Sequence, residues 1–366
     1  MPAYPGDETS VRVPIPVLLN AARATLSATG MPGDHAGLLA GCLVHADRRG
    51  VHSHGLAHLE YYVRLLLSGG VDPGGRPRLT ADTGAALKVD GGNSIGHIGM
   101  AFAMQQAITR ARQTGVALAA VGNSNHCGAL YYFAAMAADH DMIGLCSTNA
   151  MPTMAPVGGR DRVVGLSPLS IAIRGKRHRF LLDTSFGESA RGKIAIYAQR
   201  GYALPPGWAT DAAGRPTTDA SAALEGLIQP IGRHKGIGLG MAMGMIASLL
   251  SDAAYGSELG DLVHGALAGR DGHFCMAMNI AAFAPVEVVR ARVDAILMEA
   301  RNVRRIEGCD RVYTPGELGD ELEARSASEG VPLHGEQIAG MLRAAQAAGA
   351  DVAALLPFAA AAAQGR

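Results

Sequence analysis

The chain lacks an excess of charge of either sign. Its 366 residues carry 32 Lys and Arg against 32 Asp and Glu, so the formal net charge is zero at pH 7. A protein that binds nucleic acid regardless of base sequence needs a basic surface to neutralise phosphates, and this composition offers none. We therefore expect no nucleic-acid partner.

Long apolar runs and disulfide-type cysteine patterns are also missing. No uninterrupted segment of about 18 to 20 apolar residues occurs, so no membrane-spanning helix is predicted. Residues 1–8 do not have the cationic and apolar start of a secretory signal. The five cysteines are odd in number and never spaced C-x-x-C, unlike a disulfide framework or a thiolate zinc site. These absences predict a cytoplasmic protein with reduced cysteines and no membrane partner.

Apolar residues and glycine are abundant instead. Hydrophobic residues make up 48% of the chain and charged residues 17%, a balance typical of globular rather than disordered proteins. The 48 glycines are about twice the share expected from the average usage of roughly 7%. This excess indicates many tight turns and close approaches between backbone segments.

Helical and strand-like patterns alternate along the middle of the chain. Apolar residues at helical spacing predict roughly three helices from Ile15 to about Leu67. Short β-type runs then alternate with helical stretches, which is typical of an α/β layer architecture. An Ala-rich helical pattern runs from Asp320 to the end. The predicted strands are 85–89, 116–121, 143–146, 169–173, 180–182 and 275–283, and the predicted helices between or after them are 100–114, 130–139, 237–250 and 285–303.

These patterns divide the chain into three parts. We predict a helical N-terminal part over residues 1–75, a central α/β domain over 76–295 and a helical C-terminal part over 296–366. The helices of the two chain ends are expected to pack together as one smaller unit, because each must bury its apolar face against another element.

The usual nucleotide-binding motifs are absent. A Rossmann fingerprint needs G-x-G-x-x-G between a strand and a helix. The glycine pairs at 236/238 and 238/240 are followed, at the position of the third glycine, by Met241 and Met243. No P-loop pattern occurs either. Any nicotinamide cofactor would therefore be bound without the glycine-rich motif of the Rossmann fold.

The densest polar cluster is ADRRGVHSHG at residues 46–55, followed by His58. A histidine here can act as a general acid or base, because its ordinary pKa of about 6.5 lets it exchange a proton near neutrality. Ser53 could hydrogen-bond the same reacting atom. His52 and His54, or His54 and His58 at helical spacing, could instead share a zinc ion, although no complete ligand set is recognisable. The structural alternative is a set of helix caps and surface histidines.

Three further polar segments lie at predicted strand ends or helix starts. In GNSNHCG, residues 122–128, small polar groups and His126 suit an anion or a second acid/base, or form an ordinary loop. Asp183 could orient an imidazole, as carboxylates do in catalytic triads, or cap the next helix. Lys235, at a glycine-rich helix start, would favour phosphate, or be an ordinary solvated charge.

In this order, the segments resemble the type-2 malate/L-lactate dehydrogenase family, which includes sulfolactate and ureidoglycolate dehydrogenases, a diketogulonate reductase and a piperideine-2-carboxylate reductase. Each motif alone is weak, but their shared order over residues 46–317 is specific. The matching motifs are ADRRGVHSHG (46–55), GNSNH (122–126), DTS (183–185), RGK (191–193), PGWATDAAGRPT (206–217), KGIGL (235–239) and PGE (315–317).

The resemblance implies an α/β, non-Rossmann NAD(P)-binding fold. A mixed central sheet flanked by helices would bind the cofactor within residues 76–295, and both termini would form a smaller helical domain. The implied reaction is hydride transfer between NAD or NADP and a small carboxylic acid, interconverting a 2-oxo or cyclic 2-imino acid and the 2-hydroxy or 2-amino acid without a metal. Relatives act as homodimers, so a two-fold homodimer is expected.

The resemblance also implies roles for individual residues. His54 would be the proton donor or acceptor, with Ser53 and Asp183 as its hydrogen-bonding partners. His126 would compete with His54 for the acid/base role or contact the substrate. Arg49 would bind the substrate carboxylate, since a guanidinium can hold it in bidentate fashion. The implied cofactor contacts are Asn149, Asp183, Thr184, Ser185, Lys193, His234, Lys235, Pro315, Gly316 and Glu317.

Two stretches depart from the family pattern. Where relatives commonly show Thr-Asn-Pro before an apolar strand, this chain has LSP at residues 166–168, and the FGES loop at 186–189 has no clear counterpart. The substrate, and the choice between NAD and NADP, do not follow from the sequence. Two alternatives stay open: a metal-dependent hydrolase built on His52, His54 and His58, and a family member that binds a small acid without catalysis.

Overall fold

The computed structural model describes residues 10–261 and 265–364. The prediction about residues 1–8, and the outer limits of the two predicted end parts, lie outside this range. The helices are α1 Ile15–Ala28, α2 Gly33–Arg48, α3 Leu59–Leu67, α4 Gly96–Thr114, α5 Tyr131–Ala138, α6 Arg191–Gln199, α7 Ala220–Glu225, α8 His234–Ser251, α9 Val286–Arg301, α10 Glu317–Glu329, α11 Gly335–Ala348 and α12 Leu356–Gln364. The strands are β1 Val11–Val13, β2 Arg78–Asp82, β3 Ala86–Asp90, β4 Val116–Ser124, β5 Met142–Thr148, β6 Pro152–Met154, β7 Val164–Gly165, β8 Leu169–Arg174, β9 Arg179–Thr184, β10 Ala209–Thr210, β11 Pro216–Thr217, β12 Gly260–Asp261, β13 Gly265–Ala266, β14 Asp271–Asn279 and β15 Val331–Leu333.

A seven-stranded mixed sheet forms the centre of the molecule, in the order β2-β3-β4-β14-β5-β8-β9. Only the pair β3/β4 is parallel, and the other neighbours are antiparallel. The late strand β14 is inserted between β4 and β5, so its first residues reach the edge where β4 ends. The expected α/β class with a mixed sheet is confirmed.

Helices cover both faces of this sheet. Ala117, Ala119 and Val121 of β4 share a core with α4 and α5. A Cβ at Gly122, the next position, would lie 2.1 Å from a backbone oxygen of Ser251 in α8. Because successive strand residues point to opposite faces, α8 covers the face opposite to α4 and α5. On the α5 side, Gly144 permits similar close packing, since a Cβ there would lie 2.1 Å from the Ala134 carbonyl oxygen.

Helices from the two chain ends share one hydrophobic core. Leu18 and Leu39 share a buried core with Leu333 and Met341, and β1 pairs antiparallel with β15. The predicted limit at residues 295/296 falls inside α9, which packs against β8 and β9. The structure thus groups the whole of α9 with the central sheet, because a helix packs as one rigid element.

A third, smaller core lies in the segment after β5. It joins β6, β7 and β10 to helices α6, α7 and α8 through side chains that include Met154, Ile194 and Ala223. This unit positions the start of α6 beside the N-terminal helical unit. Among the described residues, no helix is both long enough and apolar enough to cross a membrane.

Candidate active site

The turn after α2 is organised by one buried carboxylate. His52 Nδ1 donates to Asp47 Oδ1 at 2.6 Å, and the Leu56 backbone N–H donates to Asp47 Oδ2 at 2.7 Å. From α11, Gln337 Nε2 reaches Oδ1 at 3.3 Å. A Cβ on Gly55 would lie 2.4 Å from the carboxyl carbon and both oxygens. Asp47 and Gly55 thus shape the two consecutive 3₁₀ turns, over 52–54 and 56–58, that present the histidines.

Three imidazole rings cluster at this turn. Their centroids form a triangle, with 5.8 Å between His54 and His58, 5.4 Å between His58 and His126, and 5.9 Å between His54 and His126. Tyr62 Oη and His126 Nδ1 share a hydrogen bond of 2.7 Å, and Tyr61 meets His58 edge-on. All three histidines keep some solvent exposure. The rings therefore line a crevice, to which α2, α3 and the loop after β4 contribute.

The crevice histidines are neutral near pH 7. Burial lowers the pKa of His54 to about 4. Burial, together with the neighbouring His54, lowers the pKa of His58 to about 3, and burial holds the pKa of His126 well below its ordinary value. The Ser53 hydroxyl lies 3.0 Å from His54 Nδ1. A neutral imidazole held through Nδ1 can present Nε2 as a proton acceptor.

Asp183 has a different partner from the one expected. Its Oδ2 accepts a hydrogen bond of 3.0 Å from the backbone N–H of Tyr131, the first residue of α5. Burial raises the pKa of Asp183 to about 7. The expected hydrogen bond to His54 does not occur among the contacts of the described residues, because the carboxylate caps α5 instead. A functional role for Asp183 stays a prediction.

Arg49 also has protein partners. Its side chain is only 3% exposed, and Nη1 contacts Asp320 at 2.6 Å and Glu323 at 2.8 Å. Nη2 donates to the Gly316 carbonyl oxygen at 3.1 Å, and the guanidinium lies 5.2 Å from the centre of the Tyr131 ring. Arg49 therefore joins α2 to α10. This arrangement does not support the expectation that Arg49 binds the substrate carboxylate.

Two helix starts have the properties that a nucleotide phosphate requires. His234 and Lys235 are exposed in the first turn of the long helix α8. Exposed N–H groups and a cation at such a position favour phosphate. Lys193 lies in the first turn of α6 with its ammonium 5.1 Å from the Trp208 ring, and burial lowers its pKa. A Cβ on Gly192 would lie 3.5 Å from Ser53 Cβ, so the α6 start adjoins the histidine turn.

Other expected cofactor residues have structural partners. The Asn149 amide donates to Ser248 Oγ at 3.2 Å and to the Ala254 carbonyl oxygen at 2.8 Å, and accepts from the Gly272 N–H at 3.0 Å. Thr184, at the end of β9, donates to the backbone oxygen of Ser185 at 3.1 Å. Both Thr184 and Ser185 stay partly exposed on the path from β9 to α6. Direct cofactor contact by these three side chains stays a prediction.

The turn at 315–317 is tied to the sheet edge. The Pro315 carbonyl oxygen accepts from the Leu181 N–H at 3.1 Å, and Gly316 adopts a φ of +92° against Leu181. Glu317 accepts from the Thr314 N–H at 3.0 Å and pairs with Arg301 at 2.8 Å. Burial opposes its ionisation, but hydrogen bonds from Thr314 and Arg311 lower the pKa of Glu317 to about 2. Glu317 therefore stabilises the turn at 315–317, and cofactor contact by this turn stays a prediction.

The geometry does not favour a metal centre. In the described part of the chain, no group of three or more His, Cys, Asp or Glu side chains is placed to hold a metal ion. His54, His58 and His126 are therefore not part of such a group, although their rings lie within 6 Å of one another. No observation supports the hydrolase built on His52, His54 and His58.

Sequence reasoning missed two features of this crevice. The hydrogen bond between Tyr62 and His126 joins residues 64 positions apart. Asp271 opens β14 beside the end of β4, whereas the predicted strand begins only at 275. No alternating pattern marks the strand start, because residues 272–275 are all buried and the register with β4 shifts between Asp271 and His273.

The fold and the crevice together define an α/β protein with an acid/base site beside two exposed helix starts. The family follows from comparison with known proteins. The model of the malate/L-lactate dehydrogenase family matches residues 13–342, and the chain belongs to this family.

Curated relatives and solved structures agree with this assignment. The chain is 32% identical to a malate dehydrogenase of Pyrococcus abyssi over 336 residues, covering 90% of this chain and 92% of the relative. It is 31% identical to an NAD(+)-dependent ureidoglycolate dehydrogenase of Escherichia coli over 312 residues, covering 84% and 88%. The structure of sulfolactate dehydrogenase from Methanocaldococcus jannaschii has a TM-score of 0.85 at 29% identity, covering 93% of this chain and 98% of that one.

Proposed function

We propose that this chain is an NAD- or NADP-dependent oxidoreductase that interconverts a 2-oxo or cyclic 2-imino acid and the corresponding 2-hydroxy or 2-amino acid. The observation that carries the proposal is the crevice in which neutral His54, held by Ser53, adjoins the start of α6. Family membership supports it, since the relatives above are named as dehydrogenases of hydroxy acids. Neither a metal-dependent hydrolase nor a non-catalytic binder is supported.

The cofactor would be held at the two helix starts, by His234 and Lys235 of α8 and by Lys193 of α6, with Thr184 and Ser185 between the sheet and α6. When bound, it supplies or accepts the hydride at C2 of the substrate. The LSP segment at 166–168 packs against these elements, since the Leu166 carbonyl oxygen accepts from the Phe186 N–H at 3.2 Å.

His54 transfers the proton that accompanies the hydride. In the oxidation direction, its neutral Nε2 takes the proton from the substrate hydroxyl or amine, while Nδ1–H donates to Ser53 Oγ and holds the ring. In the reduction direction Nε2 first takes up a proton from solvent, and the imidazolium then gives this proton to the substrate oxygen or nitrogen. His126, fixed by Tyr62, faces the same crevice and orients the substrate, while general acid/base catalysis contributes about 10²- to 10⁴-fold.

Turnover by the purified protein tests the proposal. We expect oxidation of NADH or NADPH, followed by absorbance, with at least one of pyruvate, oxaloacetate, sulfopyruvate, oxalurate and piperideine-2-carboxylate. The matched control for His54→Ala is His140→Ala, which alters an exposed histidine at the end of α5 and should leave turnover unchanged. Absence of binding of either nucleotide, or stoichiometric zinc that is lost together with activity, would contradict the proposal.

The proposal extends to assembly and location. The protein acts as a cytoplasmic homodimer without nucleic-acid or membrane partners. Leu239, Met245 and Leu249 are exposed on α8, with Leu249 72% accessible, and burial against a second copy would remove this apolar surface from water. Light scattering that gives the mass of a single 37.7 kDa chain would contradict the dimer.

A further inference from the structure

A cavity with an arginine-rich lining lies in the segment between α9 and α10. Its volume is about 770 Å³, and residues 301–306 and 309–312 line it. Small-molecule sites typically have volumes of about 300 to 1,000 Å³, so the cavity is large enough for part of a nucleotide. Its lining includes one acidic residue, Asp310, and four arginines, which are Arg301, Arg304, Arg305 and Arg311.

Two of these arginines are held by carboxylates at the start of α10. Arg301 Nε lies 2.8 Å from Glu317 Oε2, and Arg311 pairs with both Glu317 and Glu321. Their charges are therefore compensated within the protein. Arg301 and Arg311 fix the wall of the cavity to α10 and leave the other two arginines as its available cations.

Arg304 and Arg305 have no carboxylate partner in residues 10–261 and 265–364. Arg305 donates to the backbone oxygen of Asp310, and Arg304 forms no hydrogen bond or ion pair with a described residue. Both side chains are exposed. A guanidinium has five N–H donors in a planar fork that matches the oxygens of a phosphate. The cavity thus offers two adjacent forks for a phosphate.

The same cavity exposes apolar surface. Val303 and Ile306 line it and are 52% and 82% accessible to solvent. Contact with a ligand would remove this surface from water, which is favourable in proportion to the apolar area buried. An inorganic anion would use the arginines alone. A phosphorylated adenosine would use both features, since it combines a flat, largely apolar base with a phosphate.

The cavity adjoins the turn at 315–317. Arg301 Nη2 donates to Thr314 Oγ1 at 3.2 Å, and the Thr314 N–H donates to Glu317 at 3.0 Å. The turn is bonded in turn to Leu181 of β9, three residues before Thr184. Thr184 is one of the residues that we propose to lie beside the cofactor. A short series of contacts therefore joins the cavity to the proposed cofactor site.

We propose that this cavity binds the 2′-phosphate of the NADP adenosine, and that Arg304 and Arg305 make the protein prefer NADP over NAD. The inference rests on the proposed function and names its cofactor. A phosphate monoester carries about −1.5 to −2 charges at pH 7, and NAD has no such group at the 2′ position. An arginine beside the adenosine ribose is a general means of accommodating this phosphate.

Nucleotide binding to the wild-type protein, without substrate, is the first test. Fluorescence titration should give a Kd for NADPH at least about 10-fold below that for NADH, which corresponds to roughly 1.4 kcal/mol. In competition with NADPH, 2′,5′-ADP should bind more tightly than 5′-AMP. Because salt screens exposed charges, the preference for NADPH should decrease between about 50 mM and about 500 mM NaCl.

Removal of each charge is the second test. Arg304→Gln and Arg305→Gln should each raise the Kd for NADPH about 10-fold, at the lower end of the effect of hydrogen bonds to charged groups. The Kd for NADH should not change. Arg76→Gln is the matched control, since it removes an arginine charge at a 65% exposed side chain outside the cavity and should change neither Kd.

Arg304 separates recognition from a structural role. It has no protein contact to lose, so Arg304→Gln should keep the wild-type melting temperature, and Arg304→Lys should keep part of the preference for NADPH. Equal loss of NADH and NADPH affinity in Arg304→Gln would overturn the inference. A wild type that binds NADH as tightly as NADPH would also overturn it, while the proposed function stands. If neither nucleotide binds to the wild type, the proposed function itself fails, and the inference fails with it.

Discussion

The close contact between Gly55 and Asp47 allows a quantitative test of how the histidine turn is built. In Gly55→Ala, the new Cβ would lie 2.4 Å from the carboxyl carbon and both oxygens of Asp47. The carboxylate must move and lose its hydrogen bonds to His52 and Leu56, which measure 2.6 and 2.7 Å. Each such bond contributes about 1.5 to 3 kcal/mol, so we expect the free energy of unfolding to fall by about 3 kcal/mol or more.

A double-mutant cycle shows whether this contact is the cause. Asp47→Ala should be destabilising by a similar amount, because it removes the same two hydrogen bonds together with the longer one from Gln337. In the double variant the methyl group added at position 55 has room, so the total loss should match that of Asp47→Ala alone. Urea unfolding followed by circular dichroism measures all four proteins. Losses that add to within about 0.5 kcal/mol would refute the reasoning.

The control for this cycle is Gly41→Ala in the same helix as Asp47, where nothing lies within 4 Å of the added Cβ. Because alanine favours a helix over glycine by up to about 1 kcal/mol, this variant should be as stable as the wild type or more stable. If Gly41→Ala destabilised the protein as much as Gly55→Ala, the loss in Gly55→Ala could not be assigned to the contact with Asp47.

Three further predictions concern the candidate site. His54→Ala should lower kcat by about 10²- to 10⁴-fold with little change in nicotinamide affinity measured by fluorescence titration, and equal loss of both would indicate a structural role. Arg49→Met should lower the free energy of unfolding by about 1.5 to 3 kcal/mol, because it removes charge-assisted hydrogen bonds to Asp320 and Glu323, although both carboxylates keep Arg179 as a partner; a normal melting temperature with a raised KM would favour carboxylate binding instead. Burial raises the folded-state pKa of Asp183 to about 7, above its ordinary value of 3.8, so the native state binds the proton more tightly and wild-type stability falls relative to Asp183→Asn as pH rises from about 4 to 7. Parallel stability curves for the two proteins over that range would contradict this last assignment.

The helices of the N-terminal unit could be predicted because their signals are local. Apolar residues at helical spacing and glycine stop signals precede or follow α1, α2 and α3, and each lies within the predicted region. The sheet was harder to predict. Strand β14 was recognised as a strand, but its insertion between β4 and β5 joins segments more than 120 residues apart. Pairing over such distances depends on the packing of the whole sheet rather than on local pattern.

The candidate site likewise combines contacts between neighbours in the chain with contacts that depend on tertiary packing. Ser53 and His54 are neighbours in the chain, so their hydrogen bond was within reach of sequence reasoning. The partners of Arg49 and Asp183 were not, because Asp320 and the start of α5 reach them only through tertiary packing.

By itself, the sequence determined the class of fold, the absence of a Rossmann fingerprint and the position of His54, the proposed acid/base residue, at the glycine-flanked turn, because each depends on residues close together in the chain. Only the tertiary structure decided which charges are already neutralised and which remain available to a ligand. Arg49 is buried and paired with Asp320, whereas Lys235 is exposed in the first turn of α8, although both are cationic residues in polar segments. The free energy of a charge depends on burial and on partners brought from distant segments, and the folded chain alone supplies both.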